Sequence, residues 1–175
     1  MGKILFRLAL LVTAMIIAVM IVGSILPRDF EFETSVEIAA APTVVFEMIN
    51  SLPNWQHWST FNEQKVAGLK IEYGAIREGM GAAQKWTDQR GAGKLWITES
   101  KPHHLVEYDL EFDQFPTMKS RIEISGTEEK SKIRWSSHGR LPDGPFYGFF
   151  AFLFPTQMTN QYDHSLNKLK SLLEK

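Results

Sequence analysis

The chain has 175 residues, enough for one domain with a substantial core and one appended segment. Its formal net charge is −1 at pH 7, so it lacks the excess of basic residues that favours nucleic-acid binding. It contains no cysteine, which excludes disulfides, thiolate catalysis and cysteine-ligated metals.

An apolar segment near the N-terminus predicts a membrane-spanning helix. Residues 8–26 carry no charged side chain and follow Lys3 and Arg7. A helix of this length spans roughly 28 Å, close to the hydrocarbon thickness of a bilayer. A cleaved signal peptide is the alternative, but its apolar region is usually only about 7–15 residues long. We therefore expect residues 1–29 to form an uncleaved anchor and a short tether.

The charges before this segment predict its orientation. Lys3 and Arg7, together with the amino terminus, hold the N-terminal side in the cytoplasm by the positive-inside rule. The remaining residues, 30–175, then form a domain outside the cytoplasm. We interpret the chain as a single-pass protein of the bacterial inner membrane whose domain lies on the periplasmic side. The tether, from Arg28 to Glu31, is short enough to keep that domain close to the bilayer.

The central part of the chain predicts strands and two short helices. Apolar residues alternate with polar ones from Phe32 to Ile38, which is typical of a half-buried strand. Pro42 is placed to open a helix, and residues 53–58 predict a second, shorter one. Alternation predicts six further strands, at residues 69–73, 82–88, 94–100, 105–112, 118–124 and 132–137.

Opposite charges on neighbouring strands predict how these strands pair. The outer face of one strand carries Glu107 and Asp109, and the next carries Lys119 and Arg121. Pairs between these acidic and basic residues would fix an antiparallel register. We interpret this charged face as solvated surface, without a binding role.

The C-terminal residues predict a long helix. After Pro155, which suits a first helical turn, apolar residues recur at steps of three or four and form one stripe. The preceding residues 146–154, between Pro145 and Pro155, contain five phenylalanines. This run predicts a loop or a short separate helix. The whole order of elements is typical of an α+β fold.

Several segments resemble the SRPBCC superfamily, the START-related helix-grip proteins that include those labelled polyketide cyclase/dehydrase. The likeness covers residues 31–175 and begins with Val36-Glu-Ile-Ala-Ala-Ala-Pro-Thr-Val-Val-Phe46 and Trp55-Gln-His-Trp58. It continues through Gly79-Met-Gly81, Trp86, Gly91-Ala-Gly93, Ile97, Pro102, Ile133-Arg-Trp135 and Leu166-Asn-Lys-Leu169-Lys. It implies a helix-grip fold, in which a seven-stranded curved antiparallel sheet wraps around the long C-terminal helix.

That resemblance also implies a cavity between sheet and helix. We expect the cavity to bind an apolar small molecule or a lipid, without a cofactor and without catalysis. Ser120, Ser137 and Thr34 would orient a polar head group. The predicted ligand-binding residues are Trp58, Trp86, Tyr108, Ser120, Trp135, Ser137 and Met158.

Two other functions are consistent with the sequence. One is a cyclase/dehydrase-like enzyme that uses His57, or the pair Asp163 and His164, as acid and base. The other is an envelope protein-interaction module in which the same aromatic side chains fill the core. The histidines do not have the spacing of metal ligands, so we expect no metal site.

The phenylalanine-rich run suggests a contact with the membrane. An exposed cluster of this kind would aggregate in water but could enter the bilayer interface. Phe149, Phe150 and Phe152 would form a membrane-facing lip of the cavity. The alternative is that they cap the open end of the sheet.

Overall fold

The structure, a computed structural model, describes residues 2–113 and 115–175. An N-terminal helix, α1 (Gly2–Ile25), precedes the first strand, β1 (Asp29–Ile38). Helix α2 (Pro42–Asn50), a 3₁₀ turn (Leu52–Asn54) and the one-turn helix α3 (Trp55–Trp58) follow. The remaining elements are β2 (Lys70–Tyr73), β3 (Ala83–Asp88), β4 (Gly91–Lys101), β5 (Leu105–Phe112), β6 (Met118–Gly126), β7 (Ser131–Arg140) and α4 (Pro145–Leu173).

The strands form one antiparallel sheet in the order β1-β7-β6-β5-β4-β3-β2. Consecutive strands from β2 to β7 are neighbours, so short connections suffice, and β1 returns to pair with β7. Helix α4 packs on this sheet, with its closest association along β1. The predicted α+β helix-grip fold is therefore confirmed.

The charged outer face confirms the predicted register between β5 and β6. Glu107 lies opposite Arg121, and Asp109 lies opposite Lys119. The Arg121 guanidinium approaches the Glu107 carboxylate at 2.5 Å and the Glu123 carboxylate at 2.9 Å. Solvent-exposed pairs of this kind stabilise a fold by only about 0–1 kcal/mol. They favour one register but build no site.

Helix α4 corrects the prediction for the phenylalanine-rich run. The helix begins at Pro145 and continues through Pro155 to Leu173, so residues 146–154 are neither a loop nor a separate helix. A proline inside a helix costs roughly 3 kcal/mol because it removes one backbone hydrogen bond. The inward face nevertheless continues across it, since Ala151 is buried on the N-terminal side and Tyr162 on the C-terminal side. Packing of both halves on the domain offsets the cost.

Helices α1 and α4 cross at two glycines. Gly23 is the buried residue of α1 in the described part of the helix. A Cβ atom on Gly23 would collide with the carbonyl oxygen of Pro145 and the ring of Phe149, and one on Gly148 would collide with the carbonyl oxygen of Gly23. The absence of both side chains lets the two backbones approach closely, as in small-residue helix contacts within membranes.

Apart from this crossing, α1 lies outside the domain. This helix is long enough and apolar enough to span a membrane, and its large apolar side chains are exposed. Residues 26–28 alone connect α1 to β1. The predicted tether of Arg28 to Glu31 is thus shorter than expected, because Asp29 to Glu31 already belong to β1.

Candidate functional site

A cavity of about 80 Å³ lies between the sheet and α4. Strands β3 to β7 form one wall, and α4 forms the opposite wall. Gln161 and Phe112 are exposed lining residues, which places the mouth of the cavity beside them. The lining residues are Trp55, Ser59, Thr60, Phe61, Gln84, Trp86, Leu95, Tyr108, Leu110, Phe112, Met118, Trp135, Met158, Gln161, Tyr162 and Ser165.

Aromatic side chains fill most of the space between the sheet and α4. The rings of Trp135 and Tyr162 stack with their centroids 3.7 Å apart. The ring of Trp55 meets that of Tyr108 edge-on at 5.2 Å, and Trp58 meets Trp135 at 5.7 Å. Pockets for drug-sized ligands usually have volumes of about 300–1,000 Å³. The aromatic cluster therefore leaves room for a smaller ligand only.

A closed network of hydroxyl groups lies behind the aromatic rings. The Trp135 indole N–H donates to the Tyr108 hydroxyl oxygen at 3.0 Å, and the hydroxyls of Tyr108 and Tyr162 are 3.4 Å apart. Ser137 Oγ lies 3.0 Å from the Tyr162 hydroxyl and 2.7 Å from Ser120 Oγ. Because these buried groups satisfy one another, they hold the aromatic rings in place at little energetic cost.

Burial controls the ionisation of this network. Loss of solvation raises the pKa of the Tyr108 hydroxyl well above its usual range, and the neighbouring Tyr162 raises it further. Burial also raises the pKa of Tyr162, against the opposing effect of its hydrogen bonds. Both tyrosines are therefore neutral hydrogen-bonding groups at physiological pH.

This arrangement predicts loss of stability in alkaline solution. An unfolded tyrosine ionises near pH ~10, whereas folded Tyr108 ionises at higher pH. The stabilisation from keeping the hydroxyl neutral is complete below pH ~10 and falls as the pH rises above it. The unfolding temperature of the full chain in nanodiscs, followed by circular dichroism from pH 8 to 11, should show this fall. A Tyr108→Phe variant should show a shallower fall, and an unchanged slope would contradict the prediction.

Four of the predicted ligand-binding residues line the cavity: Trp86, Tyr108, Trp135 and Met158. Trp58 does not line it. Its side chain is 0 % exposed and its indole N–H donates to the Met48 carbonyl oxygen at 3.0 Å.

Trp55, three positions before Trp58 on the single turn of α3, lines the cavity instead.

The residues expected to orient a polar head group lie elsewhere. Ser120 and Ser137 are buried behind the tyrosines and bond to each other, so they do not line the cavity. Thr34 Oγ1 donates to an Asp163 carboxylate oxygen at the junction of β1 and α4. The sequence correctly placed these side chains on the inner face, but their hydrogen bonds are made within the protein.

The acid and base candidates also lie outside the cavity. His57 and His164 are exposed, and Asp163 is bound by Thr34. Asp163 and His164 follow Tyr162 on α4, but neither of them lines the cavity. Across residues 2–113 and 115–175, no cluster of three potential ligands could hold a metal ion.

Sequence reasoning missed several lining residues. Gln84 is two positions before Trp86 on β3, so strand alternation could have placed it on the same face. Tyr162 is four positions after Met158, on the same helical stripe. Thr60 and Phe61 follow α3 in an irregular segment, which has no periodicity from which their direction could be predicted.

A larger open groove of about 490 Å³ lies on the outer face of the sheet. Its lining includes Arg121, Glu123 and Arg134, which are charged and exposed. Arg121 pairs with Glu123, and Arg134 pairs with Glu33 at 2.6 Å. These groups compensate one another, so the groove is a solvated sheet surface and the cavity beside α4 is the candidate site.

The phenylalanine-rich part of α4 lies beside α1. Phe152 is 84 % exposed, whereas Phe149 and Phe150 are each 39 % exposed. Phe149 contacts the α1 crossing at Gly23, and the Phe150 ring lies 5.5 Å from that of Phe154. The most exposed apolar residues of this part of α4 are Phe146, Phe152 and Leu153.

Comparisons with solved structures agree on the fold. A protein of unknown function from Staphylococcus aureus is 11% identical and superposes with a TM-score of 0.64, covering 84% of this chain and 96% of its own. A protein from Chromobacterium violaceum is 15% identical, with a TM-score of 0.61 and coverage of 83% and 97%. The Aha1 dimer from Colwellia psychrerythraea is 16% identical, with a TM-score of 0.58 and coverage of 82% and 96%. At these identities the likeness concerns the fold alone.

The sequence comparisons assign the family. Comparison with curated proteins gave no match. Residues 29–174, which include all seven strands and all of α4, match the family described as polyketide cyclase / dehydrase and lipid transport. This agrees with the SRPBCC resemblance of the sequence and with the ligand cavity typical of the helix-grip fold. The chain belongs to the polyketide cyclase/dehydrase and lipid transport family.

Proposed function

We propose that the protein is a membrane-anchored, non-catalytic binding protein for a small apolar molecule. The observation that carries this proposal is the cavity between the sheet and α4, whose walls are mainly aromatic and aliphatic. Burial of apolar ligand surface, at roughly 25 cal/mol per Å², would supply most of the affinity. The hydroxyl network behind the walls is internally satisfied and serves to hold their shape.

The volume of the cavity sets the size of the ligand. About 80 Å³ is roughly half of the ~150 Å³ apolar cavity that takes up benzene in an engineered protein. A molecule of one ring, with part of it in the mouth near Phe112 and Gln161, matches this space. A lipid or isoprenoid would enter with one end only, unless Met158 on α4 moved.

Binding is favoured over catalysis by the position of the titratable groups. A general acid or base must reach the reacting group within hydrogen-bonding distance. His57 and His164 are exposed and do not line the cavity, and Asp163 is bound by Thr34. The second candidate is an envelope protein-interaction module, which the dense packing of Trp55, Trp135 and Tyr162 favours.

The membrane anchor of the proposal is α1, with its N-terminus in the cytoplasm and the domain in a bacterial periplasm. Lys3 and Arg7 precede the apolar part of the helix, as the positive-inside rule requires for this orientation. The crossing of Gly23 and Gly148 supports an uncleaved anchor over a signal peptide. A signal peptide that is cleaved off needs no close contact with the mature domain. Here the close contact between α1 and α4 requires a glycine on each helix.

The same crossing supports a membrane-facing lip on α4. Phe149 lies against the end of α1, and the exposed Phe152 extends the apolar surface outward. Phe146 and Leu153 enlarge the set expected from the sequence. Aromatic side chains next to a membrane-spanning helix are stabilised at the bilayer interface. The lip would consist of Phe146, Phe149, Phe150, Phe152 and Leu153.

Native mass spectrometry tests the binding function. The full chain, purified in nanodiscs from the cells that produce it and extracted with organic solvent, should yield a small apolar compound in near-stoichiometric amount. A Leu110→Trp variant adds bulk to the cavity wall and should lose the compound. Thr87→Trp, which places the same residue on the exposed face of β3, is the matched control. Failure to find a compound in the wild type would favour the interaction module.

A further inference from the structure

Gln84 differs from every other buried polar side chain that lines the cavity. It is 5 % exposed, and its Oε1 atom has no hydrogen-bond partner among the described residues. Ser165 Oγ donates to the Gln161 carbonyl oxygen at 2.9 Å, and Ser59 Oγ accepts from the Phe61 N–H at 3.1 Å. Among the buried polar side chains of the described lining, Gln84 is the one whose acceptor has no partner within the protein.

The position of Gln84 is determined by the sheet. On β3 its neighbours Ala83 and Lys85 point to the other face, and Trp86 shares the inner face. Across the strands it is paired with Tyr73 on β2 and Leu95 on β4. The Tyr73 hydroxyl lies next to the Gln56 amide, from which it accepts at 3.3 Å, and it makes no hydrogen bond to Gln84 Oε1. Leu95 offers no polar group, so neither cross-strand neighbour donates a hydrogen bond to Gln84 Oε1.

An unpaired acceptor at such a site destabilises the fold. A buried polar group without a partner loses its hydration and regains nothing. Buried polar atoms in native proteins are nearly always bonded, and exceptions frequently have a functional reason. Here Gln84 lines the candidate ligand site, so a ligand can supply the missing donor.

We propose that Gln84 is the specificity-determining residue of the cavity and that the ligand carries a hydroxyl or N–H group, which donates to Gln84 Oε1. This inference rests on the proposed ligand-binding function and adds the class of ligand. The polar group enters first, toward β3, and the apolar body points toward Phe112 and Met158 at the mouth. Gln84 thus orients the polar group of the ligand, a role expected from the sequence for Ser120 and Ser137.

Phenol and fluorobenzene are the probes, because they have nearly the same shape and only phenol donates a hydrogen bond. Dissociation constants are measured for the full chain in nanodiscs from the rise in unfolding temperature with ligand. Each probe is set to a known free aqueous concentration by dialysis against protein-free nanodiscs. The quantity of interest is the preference, the dissociation constant of fluorobenzene divided by that of phenol.

The test variant is Gln84→Met, which keeps the length of the side chain and removes its polar atoms. The preference for phenol should fall at least tenfold, equivalent to about 1.4 kcal/mol. The unfolding temperature of the ligand-free variant should rise by about 2–4 °C, because an unpaired amide has been removed. Gln157→Met is the matched control, since this glutamine is exposed on α4 and does not line the cavity, and its preference should equal that of the wild type.

The outcomes separate the two proposals. If neither probe binds the wild type, the ligand-binding function fails. If both probes bind and Gln84→Met leaves the preference unchanged, water rather than a ligand donates the hydrogen bond to Gln84. The proposed role of Gln84 is then overturned, while the binding function stands. A lower unfolding temperature of Gln84→Met would reveal a partner for the amide inside the protein and would also overturn the inference.

Discussion

Replacement of Trp135 by alanine is expected to lower the free energy of unfolding by about 3–5 kcal/mol. The side chain is 3 % exposed, stacks on Tyr162 and packs against Trp55 and Trp58. Its loss removes an apolar contact from each of these rings and leaves the Tyr108 hydroxyl without its indole donor. Chemical denaturation of the full chain in nanodiscs, with urea and circular dichroism, measures the change.

The same variant reports on the cavity. Removal of the indole enlarges the space beside Tyr162, so added indole should bind Trp135→Ala and restore part of the lost stability. Trp96→Ala is the control, because this tryptophan lies on the outer face of β4, where it contacts Lys94. Trp96→Ala should lower the free energy of unfolding by less, and added indole should not restore the lost stability. A loss below about 1 kcal/mol in Trp135→Ala would contradict the central role assigned to the aromatic cluster.

Replacement of Gly148 by leucine is expected to separate α4 from α1. Any Cβ at this position collides with the carbonyl oxygen of Gly23 and with Leu26. Overpacking usually costs about 1–3 kcal/mol, which lowers the ratio of docked to undocked helices about 5–150-fold. The domain itself should remain folded, because Gly148 faces α1 rather than the sheet. The effect should therefore be confined to how the domain is held against α1 and, as we propose, against the membrane.

A single fluorescent label can report the separation of α4 from α1. Because the chain has no cysteine, Phe152→Cys provides one attachment site on the proposed lip. In proteoliposomes, brominated lipids should quench an environment-sensitive dye at this site, and Gly148→Leu should remove most of the quenching. Gln157→Leu, an exposed position farther along α4, is the control and should leave quenching unchanged. Equally strong quenching in all three proteins would refute the dependence on the crossing, and a lack of quenching in the protein with Phe152→Cys alone would refute the lip.

The strands could be predicted from the sequence because each shows its own alternation. In β5 the apolar and charged residues alternate so regularly that the predicted and observed bounds coincide. The opposite charges of Glu107 and Arg121 then indicated the pairing with β6. Local pattern and tertiary environment agree in these strands, so the pattern is sufficient.

The start of α4 could not be predicted in this way. Between Pro145 and Pro155 almost every residue is apolar, so no polar face reveals a helical period. The helix is stabilised by three surfaces at once: Ala151 faces the sheet, Gly148 faces α1, and Phe152 is exposed. Only the tertiary structure distinguishes these directions.

The candidate site was predicted as a face rather than as a set of contacts. Alternation placed Ser120 and Ser137 on the inner side correctly, but it contains no information on which partner each hydroxyl chooses. For the same reason the sequence could not single out Gln84, which differs from the other lining residues because its Oε1 atom has no hydrogen-bond partner in the described part of the chain. Likewise, the choice of Trp55 over Trp58 depends on how one helical turn packs on the sheet.

The continuity of α4 limits how far the cavity can lie from a bilayer. Gly148, at the crossing with α1, and Met158, on the cavity wall, belong to one helix and are ten residues apart. At a rise of about 1.5 Å per residue, their separation along the axis is roughly 15 Å, whatever the tilt of the helix. If α1 spans a bilayer, as we propose, a membrane-dissolved ligand would reach the cavity over this short path. Capture then depends on the abundance of the ligand within the membrane rather than on its solubility in water.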